Sequence, residues 1–198
     1  MMESGSLRRI VLVRAGAAEG PARERVDAID APLSDAGRSA IRERLRHWEW
    51  ADAVVSSPLR RARQSAQILA REAPIGLLPE LAARRRGDES PIDFEARVRR
   101  ALVALARGRS ISPLVVTHGS VIREIVAQLA DAPIPDGRPH PAEMVLLTRT
   151  RGGKFRLGRR SSDPEPLRSP LERHGLSGSG SGDGEPERHV AHLEIRGG

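Results

Sequence analysis

Ile10-Val11-Leu12-Val13 is an unbroken run of four aliphatic residues set between Arg8-Arg9 and Arg14-Ala15-Gly16. A strand with one wet face alternates apolar and polar side chains, so an uninterrupted run must be covered on both faces. That requirement predicts a central strand of a parallel sheet, with helices above and below it. Open α/β sheets gather their ligand sites at the carboxyl ends of such strands, and this one ends on Arg14. An arginine there is a candidate binder of phosphate or carboxylate; it is equally able to leave the strand and snorkel to water. This stretch alone does not decide between the two.

Two later stretches share the same build. Ala53-Val54-Val55 reads as a strand, followed by Ser56-Ser57-Pro58-Leu59-Arg60-Arg61-Ala62-Arg63-Gln64-Ser65-Ala66. Ser57 before Pro58 predicts an N-cap with proline at the first helical position, where its missing N–H costs nothing. Leu59, Ala62, Ala66 and Leu69 mark the buried stripe. Arg61 then falls in the first turn, within reach of the crevice that Arg14 faces, with a fork suited to phosphate oxygens; Arg60 and Arg63 read as solvated. Pro113 to Thr117 reads as a further strand, and Val121, Ile122, Ile125, Val126 and Leu129 as the apolar face of the helix after it. His118 stands between them, and Gly119 lets the backbone approach a ligand, with its N–H near a helix start and aimed at an anion. A lone histidine is ordinarily structural. One at a strand end, together with arginines at two other strand ends, forms a constellation.

These three junctions resemble the histidine phosphatase superfamily, also called the phosphoglycerate mutase-like family. Its members carry Arg-His-Gly after the first strand, Ser-Pro-Leu-x-Arg-Ala-x-Gln-Thr-Ala at a helix start, and a second His-Gly after a later strand. The resemblance runs over residues 7 to 158 and implies an α/β fold, a three-layer sandwich with a mostly parallel central sheet. Asp30-Ala31-Pro32-Leu33-Ser34-Asp35-Ala36-Gly37 is similar to a further, architectural segment of the family. Its own residues predict a helix capped by Ser34, with Asp35 in the first turn and Ile41, Leu45 and Trp48 on the buried face. Gly87-Asp88-Glu89-Ser90 leads into Phe94, Val98, Ala101, Leu102 and Leu105, an amphipathic helix similar to the family's Gly-Glu-Ser…Arg-Val segment. Glu143 to Thr148 and Lys154 to Gly158, joined by Arg151-Gly152-Gly153, read as a last strand with a hairpin partner. His140 reads as a loop residue in a proline-rich turn.

In the family's chemistry an imidazole nitrogen attacks phosphorus in line, two arginines and the second histidine hold the equatorial oxygens, and water hydrolyses the phosphohistidine. The resemblance therefore implies Arg14, Arg61, His118 and Gly119 as the phosphate-binding set. The position of the nucleophile is Ala15, which has no lone pair to offer. Ala17 and Ala18 stand where many members carry a hydroxyl, although members with an Arg-His-x-x-Ala pattern also have alanine at the place of Ala18. Glu80, after a short predicted strand at Ile75 to Leu78, is the candidate general acid. In smaller members resembling the protein phosphohistidine phosphatases, a Glu-Leu stands here without that role. Ala82 to Gly87 is a basic loop in place of the helical lid of larger members, and this trimmed lid favours phosphatase over mutase ancestry and an open site.

Composition narrows the function classes. Without cysteine, disulfides, thiolate catalysis and zinc–thiolate sites drop out. No Walker loop or dinucleotide fingerprint follows any strand, and His189 and His192 lack companion ligands, so neither cofactor nor metal is expected. The formal net charge is +7, and its basic excess falls in residues 1 to 158, since residues 159 to 198 hold 6 basic against 7 acidic side chains. Lys154 is the only lysine, and Trp48, Trp50, Phe94 and Phe155 are the only aromatic platforms a nucleic acid could stack on. The charge thus reads as solubility and anion steering, and nucleic acid is a disfavoured partner. No apolar run approaches a signal sequence or a membrane span, which leads to the expectation of a cytoplasmic protein. From Arg159 the composition turns to Ser, Gly, Pro and alternating charge, with Gly178 to Gly184 as a linker. A domain over 1–158 and a flexible tail over 159–198 follow, the tail's His189 to Ile195 stretch either adding an edge strand or meeting a partner.

Three readings result. The chain is a phosphomonoesterase, with phosphohistidine phosphatases among the candidates, whose nucleophile is replaced so that it is near-inactive as written. Alternatively it is a natural pseudoenzyme that holds a phosphorylated small molecule or phosphoprotein through Arg14, Arg61 and His118. A third reading has it act through its tail, with the old site idle.

Overall fold

A computed structural model of the protein describes residues 7–20, 30–45, 51–84, 87–130, 132–134, 137 and 139–160. The expectations for Trp48, Trp50 and the tail from Ser161 onward lie outside these residues. Six strands form one sheet: β1 (Arg9–Arg14), β2 (Ala53–Ser56), β3 (Ile75–Leu77), β4 (Pro113–Thr117), β5 (Met144–Arg149) and β6 (Phe155–Arg160), in the order β3-β2-β4-β1-β5-β6. The first four are mutually parallel, and β5 and β6 add on antiparallel. Four helices cover the sheet: α1 (Asp35–Arg44), α2 (Arg60–Ala70), α3 (Pro91–Arg107) and α4 (Gly119–Leu129). None of the described helices is long and apolar enough to cross a membrane.

The aliphatic run of β1 explains the layering. Ile10 and Leu12 face one way, into a core with Phe94, Val98 and Leu105 of α3 and Ile122 and Ile125 of α4. Val11 and Val13 face the other way, towards Ile41 of α1 and Ala62, Ala66 and Leu69 of α2. Period-2 alternation along the strand therefore feeds two separate apolar layers. All four side chains are fully buried, and truncating Leu12 to alanine falls among core changes that cost about 2–5 kcal/mol.

Ser34 caps α1 as expected, its hydroxyl accepting from Gly37 N at 3.1 Å, with Asp35 in the first turn. The same hydroxyl donates to the carbonyl of Ala17 at 3.0 Å, so the cap also pins the loop that follows β1. The start of α2 differs from expectation. The helix begins at Arg60, with Leu59 as an N-cap that makes no side-chain bond. Pro58 is therefore not at the first helical position, and Ser57 turns its hydroxyl elsewhere. Strands β5 and β6 start at Met144 and Phe155, one residue later than expected, and run to Arg149 and Arg160, because Arg149 pairs with Phe155 and Arg160 with Val145 beyond a register shift between Val145 and Leu147.

The loop after β1 crosses α1 at very short range. A Cβ on Gly37 would fall onto the carbonyl oxygen of Ala17 and 2.8 Å from its nitrogen, and one on Gly16 would lie 2.7 Å from Leu33 Cδ1. Gly37→Ala gives a test with an inverted sign. In an exposed helix interior that change gains about 1 kcal/mol, whereas here the backbone overlap is expected to cost about 1–3 kcal/mol. Urea denaturation measures it, and a gain in stability would show that the crossing is looser than described.

Candidate active site

Parallel pairing sets the ends of the central strands level. Arg14 of β1 stands opposite Thr117 of β4, and Ser56 of β2 opposite Val116. The residues that follow each strand, Ala15, His118 and Ser57, consequently emerge along one edge of the sheet. Beyond that edge α1 and α2 lie on one face and α3 and α4 on the other, and open α/β sheets hold ligands in the crevice outside such strand ends.

Each element of the crevice is fixed by backbone bonds. Ala15 N donates to Thr117 O at 2.8 Å, Arg14 N donates to Glu143 O at 2.9 Å, and Ala142 N donates to Arg14 O at 3.0 Å. The Arg14 guanidinium donates to Pro139 O at 2.6 Å and lies over Gly119, whose Cβ, if present, would sit 3.5 Å from Arg14 Nε. Residues 139–143 therefore clasp both the backbone and the side chain of Arg14. The turn carries strain, since Ala142 holds a φ of +63°. Gly16 N donates to Ser65 Oγ at 3.1 Å, and Ser65 Oγ donates to Arg61 O at 2.8 Å. Ser65 thus stitches the loop of the first motif to the helix of the second. Gln64 adds another stitch by accepting from Leu33 N at 2.7 Å.

His118 is buried, 4 % exposed, at the N-cap of α4. Its Nε2 lies 2.9 Å from Ser57 Oγ and its Nδ1 3.4 Å from an Arg61 nitrogen. Burial, reinforced by the positive charges of Arg61, Arg14 and Arg97, pulls its pKa down to about 3. The ring is therefore neutral at physiological pH although it sits among cations. Ala15 is buried as well and belongs to the apolar layer that holds Val13 and Ile41.

Glu80 lies in a short 3-10 turn, Pro79–Leu81, half-buried. This turn is held against the end of β4 by two ties. Thr117 Oγ1 donates to Leu81 O at 2.7 Å, and Arg97 of α3 donates to Glu80 O at 2.6 Å and Ala82 O at 3.0 Å. Arg97 also forks onto Glu89 at 2.7 and 2.8 Å. That bond outweighs burial and holds the Glu89 carboxyl below the ordinary carboxylate range. Arg84 and Arg97 both stack on Phe94, 5.3 and 5.2 Å from the ring centre. The trimmed lid is in this way a braced loop.

The structure brings Arg14, Ala15, Arg61, His118 and Gly119 to one edge and sets the Glu80 turn against the end of β4. Arg60, Arg63 and His140 are exposed, as expected. Sequence reasoning missed Ser57 as the partner of His118, Ser65 as the stitch, Arg97 as the brace and residues 139–143 as the clasp. Only Ser65 left a signal, standing one helical turn after Arg61 on the buried stripe.

The depressed pKa of His118 makes a sign-definite forecast. The folded value lies below the unfolded one of about 6.5, so the unfolded chain binds more protons between pH 6.5 and about 3 and stability falls with acidification across that window. The contribution is about 1.4 kcal/mol per pH unit. His118→Asn removes it, so the cost of that substitution is expected to shrink by about 2 kcal/mol between pH 7 and pH 5. Urea titrations at both pH values measure this, and a constant cost would mean that the imidazole is not held neutral.

Comparison with known proteins places this geometry. No curated protein matches the sequence significantly. Among solved structures, the native mycobacterial glucosyl-3-phosphoglycerate phosphatase aligns with a TM-score of 0.62 and 22% identity, over 78% of this chain and 97% of that one. The protein histidine phosphatase SixA, complexed with tungstate, aligns at 0.58 and 22% identity, over 77% and 95%. A histidine-to-alanine mutant of phosphoserine phosphatase from Entamoeba histolytica, in complex with phosphoserine, aligns at 0.60 and 15% identity, over 78% and 96%. At these identities the likeness is one of fold. Residues 10–88 and 80–160 match the family described as histidine phosphatase superfamily (branch 1), which spans the strand-end motifs and the sheet that carries them, and the chain belongs to that superfamily.

Proposed function

We propose that the crevice is a phosphomonoester site that retains its oxyanion cradle and lacks its nucleophile. What supports this reading is the convergence of Arg14, Arg61, His118 and the amino end of α4 around a position filled by Ala15. Two guanidinium forks, a ring nitrogen and a helix start suit a tetrahedral dianion. The ligand on this reading is a phosphorylated small molecule or a phosphoprotein, phosphohistidine included, and the domain that holds it spans residues 1–158. A neighbour of the same fold, itself a histidine-to-alanine mutant, holds phosphoserine, which favours ligand binding without turnover.

The chemistry assigns each group a place. In a competent site an imidazole at position 15 forms a bond to phosphorus as the ester P–O bond breaks; the leaving oxygen takes its proton from Glu80 as general acid, and water then cleaves the P–N bond to release phosphate. Arg14, Arg61, His118 and Gly119 N hold the equatorial oxygens, whose charge grows in the transition state. The methyl of Ala15 cannot start this sequence. His118 is unable to replace it, because a group that holds an equatorial oxygen is not in line with the leaving one.

Ala15→His tests the reading. The unaltered protein is expected to be near-silent on a panel of phosphomonoesters that includes a phosphohistidine peptide, and Ala15→His to turn it over through an acid-labile phosphoenzyme. Equal activity in both proteins would require a nucleophile other than the one named and would contradict the mechanism. Binding is tested separately by calorimetric titration of vanadate into the unaltered protein. Arg61→Ala is expected to weaken it by about 1.5–3 kcal/mol, the range for a charge-assisted hydrogen bond; binding indifferent to Arg61 would place the anion elsewhere.

A further inference from the structure

Ser57 is fully buried and caps no helix. Its hydroxyl accepts from Leu59 N at 3.3 Å and faces His118 Nε2 at 2.9 Å. At the other side of the ring, Arg61 approaches Nδ1 to 3.4 Å. A guanidinium can only donate, so Nδ1 offers its lone pair and the single proton of the neutral ring sits on Nε2, donated to Ser57 Oγ. This arrangement suits an empty crevice. It is wrong for an oxyanion, which would meet the Nδ1 lone pair head on.

An anion held by His118 needs a proton on Nδ1. The ring can gain a second proton or relocate the one it has. Among the described residues, the charges that act on the ring are Arg61 of α2, Arg14 of β1 and Arg97 of α3, all cationic, and the ring is buried; each opposes an imidazolium. A serine hydroxyl carries one donor and two acceptor sites, so it pairs equally with Nε2–H or with the bare Nε2. We infer that Ser57 is a positioning residue that anchors the His118 ring and lets it exchange neutral tautomers, accepting from Nε2–H in the empty crevice and donating to Nε2 when an oxyanion is bound at Nδ1–H. The ring loses one proton at Nε2 and gains one at Nδ1 by exchange with water, and no net proton is taken up. The inference rests on the phosphate-site reading above and gives that site a residue which acts only through His118.

Without the hydroxyl the ring has no anchor at Nε2, and only the fraction of molecules with Nδ1 turned to the crevice can bind, which lowers the apparent affinity by that fraction. The experiment uses the full chain, inorganic phosphate at pH 8 and 15N-labelled histidine. NMR is expected to show His118 as the Nε2–H tautomer in the free protein and as the Nδ1–H tautomer with phosphate, and calorimetry in buffers of different ionisation enthalpy to show uptake of no proton. Ser57→Ala is expected to bind phosphate about ten-fold more weakly, and Ser57→Thr, which keeps the hydroxyl, to bind as the unaltered protein does. Phosphate bound with His118 still Nε2–H, phosphate bound to an imidazolium with one proton taken up, or a Ser57→Ala affinity equal to that of the unaltered protein would each overturn the relay while leaving the site intact. No phosphate binding by the unaltered protein would overturn the site and the relay together.

Discussion

The parallel pairing of β1 with β4 is the constraint on which the rest of the crevice depends. It sets Arg14 opposite Thr117 and is extended one step further by the bond from Ala15 N to Thr117 O. A slip of one residue in a strand sends every side chain to the opposite face. Here such a slip would also carry Arg14 and His118 out of line. Both faces of β1 are buried, Ile10 and Leu12 in one core layer and Val11 and Val13 in the other, and the bonds from Arg14 N to Glu143 O and from Ala15 N to Thr117 O tie its end in place. The strand-end residues are therefore placed by the same pairing that builds the sheet.

Electrostatics then shape what the crevice can hold. Arg14 and Arg61 are both cationic, and the structure fixes their surroundings with hydrogen bonds: Pro139 O accepts from Arg14, and the bonds from Gly16 N to Ser65 Oγ and from Ala142 N to Arg14 O hold the flanking loops. Keeping His118 neutral spares the cluster a further positive charge. On the proposed reading, cations already gathered and oriented cost little reorganisation when an anion arrives, which is the physical content of a preorganised site. Arg97 plays a different part. Its charge is answered by Glu89 and its remaining donors go to carbonyls of the Glu80 turn, so it braces the loop that stands in place of a lid.

Much of this was legible in the sequence where a local rule governs. The double-sided burial of β1, the Ser34 cap, the stripes of α2, α3 and α4 and the strand-end placement of Arg14 and His118 each follow from periodicity or capping over a few residues. Ser57 was misread for an instructive reason. Ser-Pro before a helix has the form of a cap, yet α2 starts only at Arg60, and the freed hydroxyl pairs with a residue 61 positions away. The Pro139 clasp and the Arg97 brace were invisible for the same cause: they join segments 125 and 17 residues apart, and no local pattern announces them. Gly37 lies between these cases. Its motif was recognised, but the need for glycine came only with the Ala17 backbone passing over it.

On the proposed reading the three strand ends form one oxyanion cradle around Ala15. A crystal structure of the unaltered protein soaked with tungstate tests it most directly. The tetrahedral anion is expected within hydrogen-bond distance of Arg14, Arg61, His118 and Gly119 N, beside the methyl of Ala15. An anion bound elsewhere, or a crevice that stays empty at saturating tungstate while Arg14 and Arg61 keep their present places, would contradict it.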